Sequence, residues 1–166
     1  MKAVLKKKSV AIPLMVVCII LAVLLGMNIS FARQRGEIVQ RYYNTGIQQE
    51  LDRRIEAANS LVGLAEGQGV EESLIQQVKN DIESLRSATS PGDQFDANSV
   101  LSGSVAGLAE KTSGDETFMQ DFQAAQQAIQ QSDYNRQAEA YNEVRTTFPV
   151  SILRWALFSG PLEEFR

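Results

Sequence analysis

The chain has 166 residues, enough for one modest domain, and its 16 basic and 20 acidic side chains give a formal net charge of −4. It has no histidine and one cysteine, which excludes disulfide frameworks, zinc sites built from Cys and His, and catalytic groups that use imidazole. The net negative charge argues against a nucleic-acid-binding protein.

An uncharged apolar run lies near the start of the sequence. Four lysines precede it: Lys2, Lys6, Lys7 and Lys8. No charged residue occurs over residues 9–32, and the core of the run, Val10 to Met27, is long enough to cross a hydrocarbon layer of about 30 Å as a helix. We therefore predict a basic flank over residues 1–9 and a transmembrane helix over residues 10–32. A cleaved signal peptide is the alternative, with Ser30-Phe31-Ala32 as a weak cleavage site, although signal peptides usually have shorter apolar regions.

The basic residues on either side of this run predict its orientation. The first flank has the four lysines, and the second has Arg33, Arg35 and Arg41. Because basic flanks tend to remain in the cytoplasm, we expect a single-pass protein of the cell membrane with a cytoplasmic N-terminus. The remaining residues would then be extracytoplasmic.

Apolar side chains recur at helical spacing throughout residues 33–149. One stripe runs from Ile38 to Ala65, with no break in the pattern after the membrane segment, and stops at Gly67-Gln68-Gly69. Gly46 is a weak point within this stripe, since glycine disfavours a helix interior. A second runs from Val70 to Leu85, and residues 87–93 then give the strongest loop signal in the chain.

Two further helical stripes follow this loop. The third covers about Asn98 to Lys111 and is rich in small residues, which favours close packing against a neighbour. The fourth covers Phe118 to Phe148 and ends before Pro149. Because no alternation typical of strands is present, residues 33–149 are predicted to form an all-α helical bundle.

The apolar C-terminal tail, residues 150–166, allows two interpretations. It either packs onto the bundle as a short helix or returns to the membrane surface. In the second case Trp155 and Phe158 would lie at the membrane interface, where aromatic side chains are favoured.

Two motifs are distinctive. The first lies within residues 47–62 and comprises Leu51, Arg53, Arg54, Leu61 and Val62. The second is a series of dipeptides spaced by seven residues: Tyr134-Asn135, Tyr141-Asn142 and Phe148-Pro149. Both resemble motifs of the LemA family, and the resemblance covers most of residues 47–165. It implies an N-terminal transmembrane helix that continues into an elongated antiparallel helical bundle of long helices. The family has no established catalytic activity, so the resemblance supplies no catalytic site.

The heptad spacing places Tyr134, Tyr141 and Phe148 on nearly one helix face, with Asn135 and Asn142 beside them. We expect the aromatic rings to fill a coiled-coil-like seam and the asparagines to form hydrogen bonds across helices that fix their register. The alternative is an exposed stripe that recognises a partner.

The two arginines of the first motif point about 100° apart on a helix, so they cannot clamp one anion together. We expect one of Arg53 and Arg54 to face solvent or Glu50. The other should reach an acidic side chain of a neighbouring helix.

No phosphate-binding loop, nucleophile elbow or metal-ligand spacing is present, so we expect no catalysis, no cofactor and no metal. The predicted function is that of a membrane-anchored helical-bundle protein with a structural or protein-interaction role. Its expected partners are the lipid bilayer and either an unidentified protein or a second copy of the chain. The alternative is a membrane-tethered small-molecule sensor that acts through a partner.

Overall fold

The computed structural model describes residues 8–44, 46–113, 117–147, 150–153 and 156–166. In these ranges the chain is all-helical and contains no strand, which confirms the predicted all-α class. The helices are α1 (Lys8–Asn44), α2 (Ile47–Gln68), α3 (Glu72–Ser87), α4 (Pro91–Ala109), α5 (Thr117–Gln130), α6 (Tyr134–Thr146) and α7 (Val150–Leu153).

Several positions named in the sequence predictions lie outside the described residues. They are Lys2, Lys6, Lys7, Phe148, Pro149 and Trp155.

Helix α1 carries the apolar run. It is the one helix in the described parts of the chain that is long and apolar enough to cross a membrane. Ile12, Met15 and Leu25 are each at least 60% exposed, and no residue in the most apolar part of the helix is buried. Such a continuous exposed apolar surface is unusual in a water-soluble monomer, and it is compatible with a membrane anchor.

The helical pattern is interrupted where the sequence predicted continuity. Helix α1 ends at Asn44 and α2 begins at Ile47, with Gly46 between them. A Cβ atom on Gly46 would lie 2.7 Å from the backbone oxygen of Arg41, closer than real side chains come. Glycine therefore allows the chain to turn tightly against the end of α1. Because apolar spacing continues across this position, the sequence predicted only a weak point at Gly46, where the structure has a break.

The chain divides into two compact units. The first comprises the residues up to Glu37 together with Ala140–Leu162, and the second comprises Ile38–Glu139 together with Glu163–Arg166. In the second unit α2 packs against α3, α4 and α5, and α3 also packs against α4. The motif residues Leu51, Leu61 and Val62 are buried in α2, so this part of the first motif builds the core.

Two helix boundaries differ from the sequence predictions. Residues 91–93, assigned to a loop, form the first turn of α4. Pro91 starts this helix, and the Ser90 hydroxyl accepts a hydrogen bond from the Asp93 N–H. Proline is favoured in this position because it has no N–H to leave unpaired.

The predicted fourth helix is two helices. Helix α5 ends at Gln130 and α6 begins at Tyr134, whose N–H donates to the Ser132 hydroxyl at 3.2 Å. A short polar turn that caps the next helix can interrupt an apolar pattern without changing its phase. Periodicity therefore predicted one helix from Phe118 to Phe148 where the structure has two.

Candidate functional site

The Tyr-Asn dipeptides bind the tail that follows α7. In the second unit the Asn135 side chain exchanges two hydrogen bonds with the backbone of Phe165. Its Nδ2 donates to the Phe165 oxygen at 2.7 Å, and the Phe165 N–H donates to Oδ1 at 2.7 Å. The Tyr134 hydroxyl donates to the Glu163 backbone oxygen at 2.6 Å. One dipeptide of α6 thus holds the backbone of two alternate tail residues.

Aromatic packing completes the site around Phe165, which is buried. Its ring centroid lies 5.5 Å from that of Phe95 and 6.4 Å from that of Tyr42. Tyr42 also packs against Tyr134, with centroids 4.6 Å apart. Offset and edge-to-face rings at these distances stabilise one another beyond the burial of their area. Phe165 is therefore held by both its backbone and its ring.

The side chain of Glu163 reaches the start of α4. Its Oε1 atom accepts hydrogen bonds from the Gly92 N–H at 3.2 Å and from the Ser90 hydroxyl at 3.1 Å. A carboxylate at a helix N-terminus satisfies unpaired N–H groups and interacts favourably with the helix dipole. A Cβ atom on Gly92 would lie 2.5 Å from this oxygen, so glycine makes room for the carboxylate.

The second dipeptide makes the same pattern of bonds within the first unit. Asn142 donates to the Leu162 oxygen at 2.8 Å and accepts from the Leu162 N–H at 2.9 Å. The Tyr141 hydroxyl contacts the Gly160 oxygen at 3.5 Å. In each dipeptide the tyrosine bonds one tail carbonyl, and the asparagine pairs with the residue two positions later.

These contacts revise the expected role of the asparagines. Asn135 and Asn142 were expected to form hydrogen bonds across helices, whereas both pair with the backbone of the tail. Tyr134 and Tyr141 are buried, as the interpretation of a filled seam requires. Phe148 and Pro149, the third dipeptide, lie outside the described residues.

A third asparagine holds the tail in the first unit. Asn28 donates to the Ala156 oxygen at 3.0 Å and accepts from the Phe158 N–H at 2.8 Å. The Phe158 side chain itself is 90% exposed. In the sequence, Asn28 directly follows the apolar core that ends at Met27. An amide at that point was the available signal, but a pattern of spacing does not identify a partner 128 residues away.

Arg53 and Arg54 lie in different surroundings, one of which was predicted. Arg53 is exposed and forms an ion pair with Glu50 at 3.0 Å, which confirms that one arginine faces solvent and this acid. Arg54 is only 1% exposed, and the expectation that it reaches an acidic side chain is wrong. Its Nη2 donates to the Ser102 hydroxyl at 2.6 Å, and its guanidinium stacks on the Phe122 ring 3.9 Å from the centroid.

Burial explains the electrostatics of Arg54. Its Nε and Nη1 atoms have no hydrogen-bond partner, and removal from water lowers the pKa of its guanidinium to about 10. The group is still a cation at neutral pH, held by an aromatic face and one hydroxyl. It lines neither the pocket beside Tyr42 nor the one beside Arg53, and the contacts described for it are those with Phe122 and Ser102.

A polar network and a pocket surround the end of α1. The buried Tyr42 hydroxyl donates to Gln94 Oε1, and burial raises the pKa of Tyr42. A pocket of about 360 Å³ lies beside it, and its lining includes Arg41, Glu50 and Asp133. This volume is at the lower end of the range for small-molecule sites.

Within the described residues no group of three His, Cys, Asp or Glu side chains is placed to hold a metal ion. The most extensive polar contacts described are therefore those that hold the tail, in which Tyr134, Asn135, Tyr141 and Asn142 form hydrogen bonds with its backbone. Side chains arranged in this way recognise and hold a chain segment. No protein-family model, curated protein or solved structure matches this chain.

Proposed function

We propose that this protein is a single-pass, membrane-anchored helical-bundle protein, a divergent member of the LemA family, with a structural or protein-interaction role and without catalysis. The exposed apolar surface of α1 carries this proposal, because none of its most apolar part is buried by the rest of the chain. Helix α1 extends beyond the apolar run as regular helix to Asn44.

The proposal includes topology and bundle geometry. The lysine-rich flank favours a cytoplasmic N-terminus and an extracytoplasmic bundle. Only three residues connect α2 to α3 and three connect α3 to α4, and connections this short favour antiparallel neighbours. An elongated antiparallel bundle is the arrangement that the LemA resemblance also implies.

The proposal also includes contact between the tail and the membrane surface, at Phe158. The Phe158 ring is exposed while its N–H is bound by Asn28, at the end of the apolar run. An exposed aromatic ring at this level is favoured at the boundary between lipid and water. Trp155, predicted to share this position, lies outside the described residues.

Helix α4 supports the interaction role. Residues 97–109 contain no charged side chain, and Ser99, Val100, Gly103 and Ala106 are exposed on their outer face. A Cβ atom on Gly103 would meet nothing within 4 Å, so this face has room for a second helix to approach closely. A protein partner or a second copy of the chain would pack here.

Crosslinking in intact membranes tests this role. The full chain with Ser99→Cys and Cys18→Ser is expected to give a crosslinked species, and Gly103→Arg should abolish it without changing the helical content. Gly63→Arg is the matched control, because Gly63 is also exposed in a helix with open space around it. A chain that is strictly monomeric and without partners in the membrane would refute the proposal.

A small-molecule sensor that acts through a partner is the second candidate. The pocket of about 360 Å³ favours it, because Ile38, Arg41 and Tyr42 of α1 line it together with Gly46 at the helix break. A ligand that contacted Ile38, Arg41 or Tyr42 would touch α1, the helix that also carries the apolar run. Small zwitterions that carry an amine and a carboxylate should raise the melting temperature of the full chain, because the lining presents both signs of charge. If no such compound raises it, the sensor is excluded for this ligand class.

A further inference from the structure

Arg145 is a buried cation in the last turns of α6 for which the described residues supply no ion-pair partner. It is only 8% exposed, and its Nε and Nη1 atoms have no hydrogen-bond partner in the described part of the chain. The Tyr141 ring lies beside it, with its centroid 5.9 Å from the guanidinium carbon. Unpaired N–H groups on a buried cation are unfavourable, so a bound acceptor would stabilise this arrangement.

A pocket of about 350 Å³ adjoins this side chain within the first unit. Its described lining consists of Asn142, Arg145, Thr146 and Pro161. The amide of Asn142 is already paired with the Leu162 backbone, and the Thr146 hydroxyl donates to the Glu143 oxygen. In the described lining, Arg145 is therefore the residue whose donors lack a partner, and these two atoms, Nε and Nη1, are themselves buried beside the pocket. The volume of the pocket exceeds that of a phosphate group.

Contacts of the first unit place Arg145 at the end of the apolar run. Before it in the chain, the Tyr141 ring packs on Phe31 with centroids 5.7 Å apart. After it, Ala156 and Phe158 are bonded to Asn28. Both flanking segments thus contact residues 28–31 of α1, directly after the apolar core. In a membrane-anchored protein this is the level of the lipid headgroups.

We propose that Arg145 binds a phosphate group in this pocket, supplied by the headgroup of an anionic phospholipid or by a soluble phosphate. Its planar guanidinium presents N–H groups in the geometry that phosphate oxygens accept, and the surrounding burial strengthens each charge-assisted hydrogen bond. The lipid source rests on the proposed membrane anchor, whereas binding of soluble phosphate does not.

The test uses the full chain in a non-ionic detergent. Binding of phosphatidylglycerol, phosphatidylcholine and inorganic phosphate is measured by native mass spectrometry and by the shift in melting temperature. Arg145→Gln should weaken binding about tenfold or more, as expected for loss of a charge-assisted contact. Arg136→Gln is the matched control on the same helix, because Arg136 is exposed and paired with Asp133, and its binding should equal that of the unmodified chain.

The probes separate the two sources. Stronger binding of phosphatidylglycerol than of the other two supports the anionic lipid headgroup, and an equal response to inorganic phosphate supports a soluble phosphate. Equal binding by the unmodified chain and Arg145→Gln would overturn the proposal for both. If Arg145→Gln does not fold, Arg145→Lys should still bind more weakly, because an ammonium lacks the planar donor set. Failure of the anchor itself would appear separately, as a protein found in the soluble fraction.

Discussion

Replacing Asn135 with alanine should release the tail from α6. The substitution removes two hydrogen bonds of 2.7 Å and leaves the N–H and the carbonyl of Phe165 without these partners. Each such bond contributes about 1 kcal/mol net, so Asn135→Ala should lower the free energy of unfolding by about 2 kcal/mol. For a chain of this length, that corresponds to a decrease of about 4–8 °C in melting temperature.

Thermal unfolding of the full chain in detergent, followed by far-ultraviolet circular dichroism, measures this decrease. Amide hydrogen exchange at Phe165 should also become faster, since its N–H loses its acceptor. Asn59→Ala is the control, because the amide of Asn59 bonds the Ile55 oxygen of its own helix. That substitution should change the stability by no more than about 0.5 kcal/mol.

Asn135→Asp provides a sharper comparison. The side chain keeps its shape and can still accept from the Phe165 N–H, but it has no donor for the Phe165 carbonyl. Its loss of stability at neutral pH should therefore approach that of Asn135→Ala. If neither substitution at Asn135 differs from Asn59→Ala, the paired bonds do not hold the tail, and the structural account of the Tyr-Asn motif is wrong.

Three further predictions concern the second unit. Burial raises the pKa of Tyr42 in the folded state, so the neutral phenol stabilises the fold below the unfolded pKa of about 10, and this contribution is lost above it. In urea titrations the chain should therefore lose stability relative to Tyr42→Phe as the pH rises past about 10. Parallel curves of stability against pH for the two proteins would contradict this. Gly92→Ala should lower the free energy of unfolding by about 1 kcal/mol in calorimetry, because the added Cβ displaces the Glu163 carboxylate. This loss should vanish in a Glu163→Ala background. An equal loss in both backgrounds would exclude the contact with Glu163 as its cause. Arg54→Met should leave the melting temperature unchanged or raise it, because it removes a buried charge that has no counter-ion among the described residues. A decrease of more than about 2 kcal/mol in the free energy of unfolding would show that the guanidinium does more than pack.

Periodicity was sufficient to predict the helical class and much of the core. Apolar steps of three and four identified the buried face of α2, and the heptad of tyrosines predicted that Tyr134 and Tyr141 are buried. Gly69 ends α2 in a left-handed conformation, as the Gly67-Gln68-Gly69 terminator predicted. These features are local, so a short window of sequence contains the information that determines them.

The partners of polar residues were not predictable in the same way. Asn135 pairs with a residue 30 positions away, and its partner atoms belong to the backbone, which every residue possesses. Gly46 was predicted to be a weak point of one helix and not a break between two, because a tight turn can preserve the apolar phase on both sides. Arg54 was expected to meet an acid because buried charges are usually paired, whereas here Phe122 and Ser102 take that place.

The location of Cys18 tests the central claim most directly, because it is the one cysteine of the chain and lies within the apolar run. In opened membrane vesicles, a bulky water-soluble maleimide should leave Cys18 unmodified, and it should react fully once detergent dissolves the bilayer. A variant with Ser84→Cys and Cys18→Ser should react under both conditions, because Ser84 is exposed on α3, away from the proposed interaction face of α4. Modification of Cys18 before detergent is added, or a membrane-bound chain that no longer contains Cys18, would contradict the account of α1 as a retained membrane anchor.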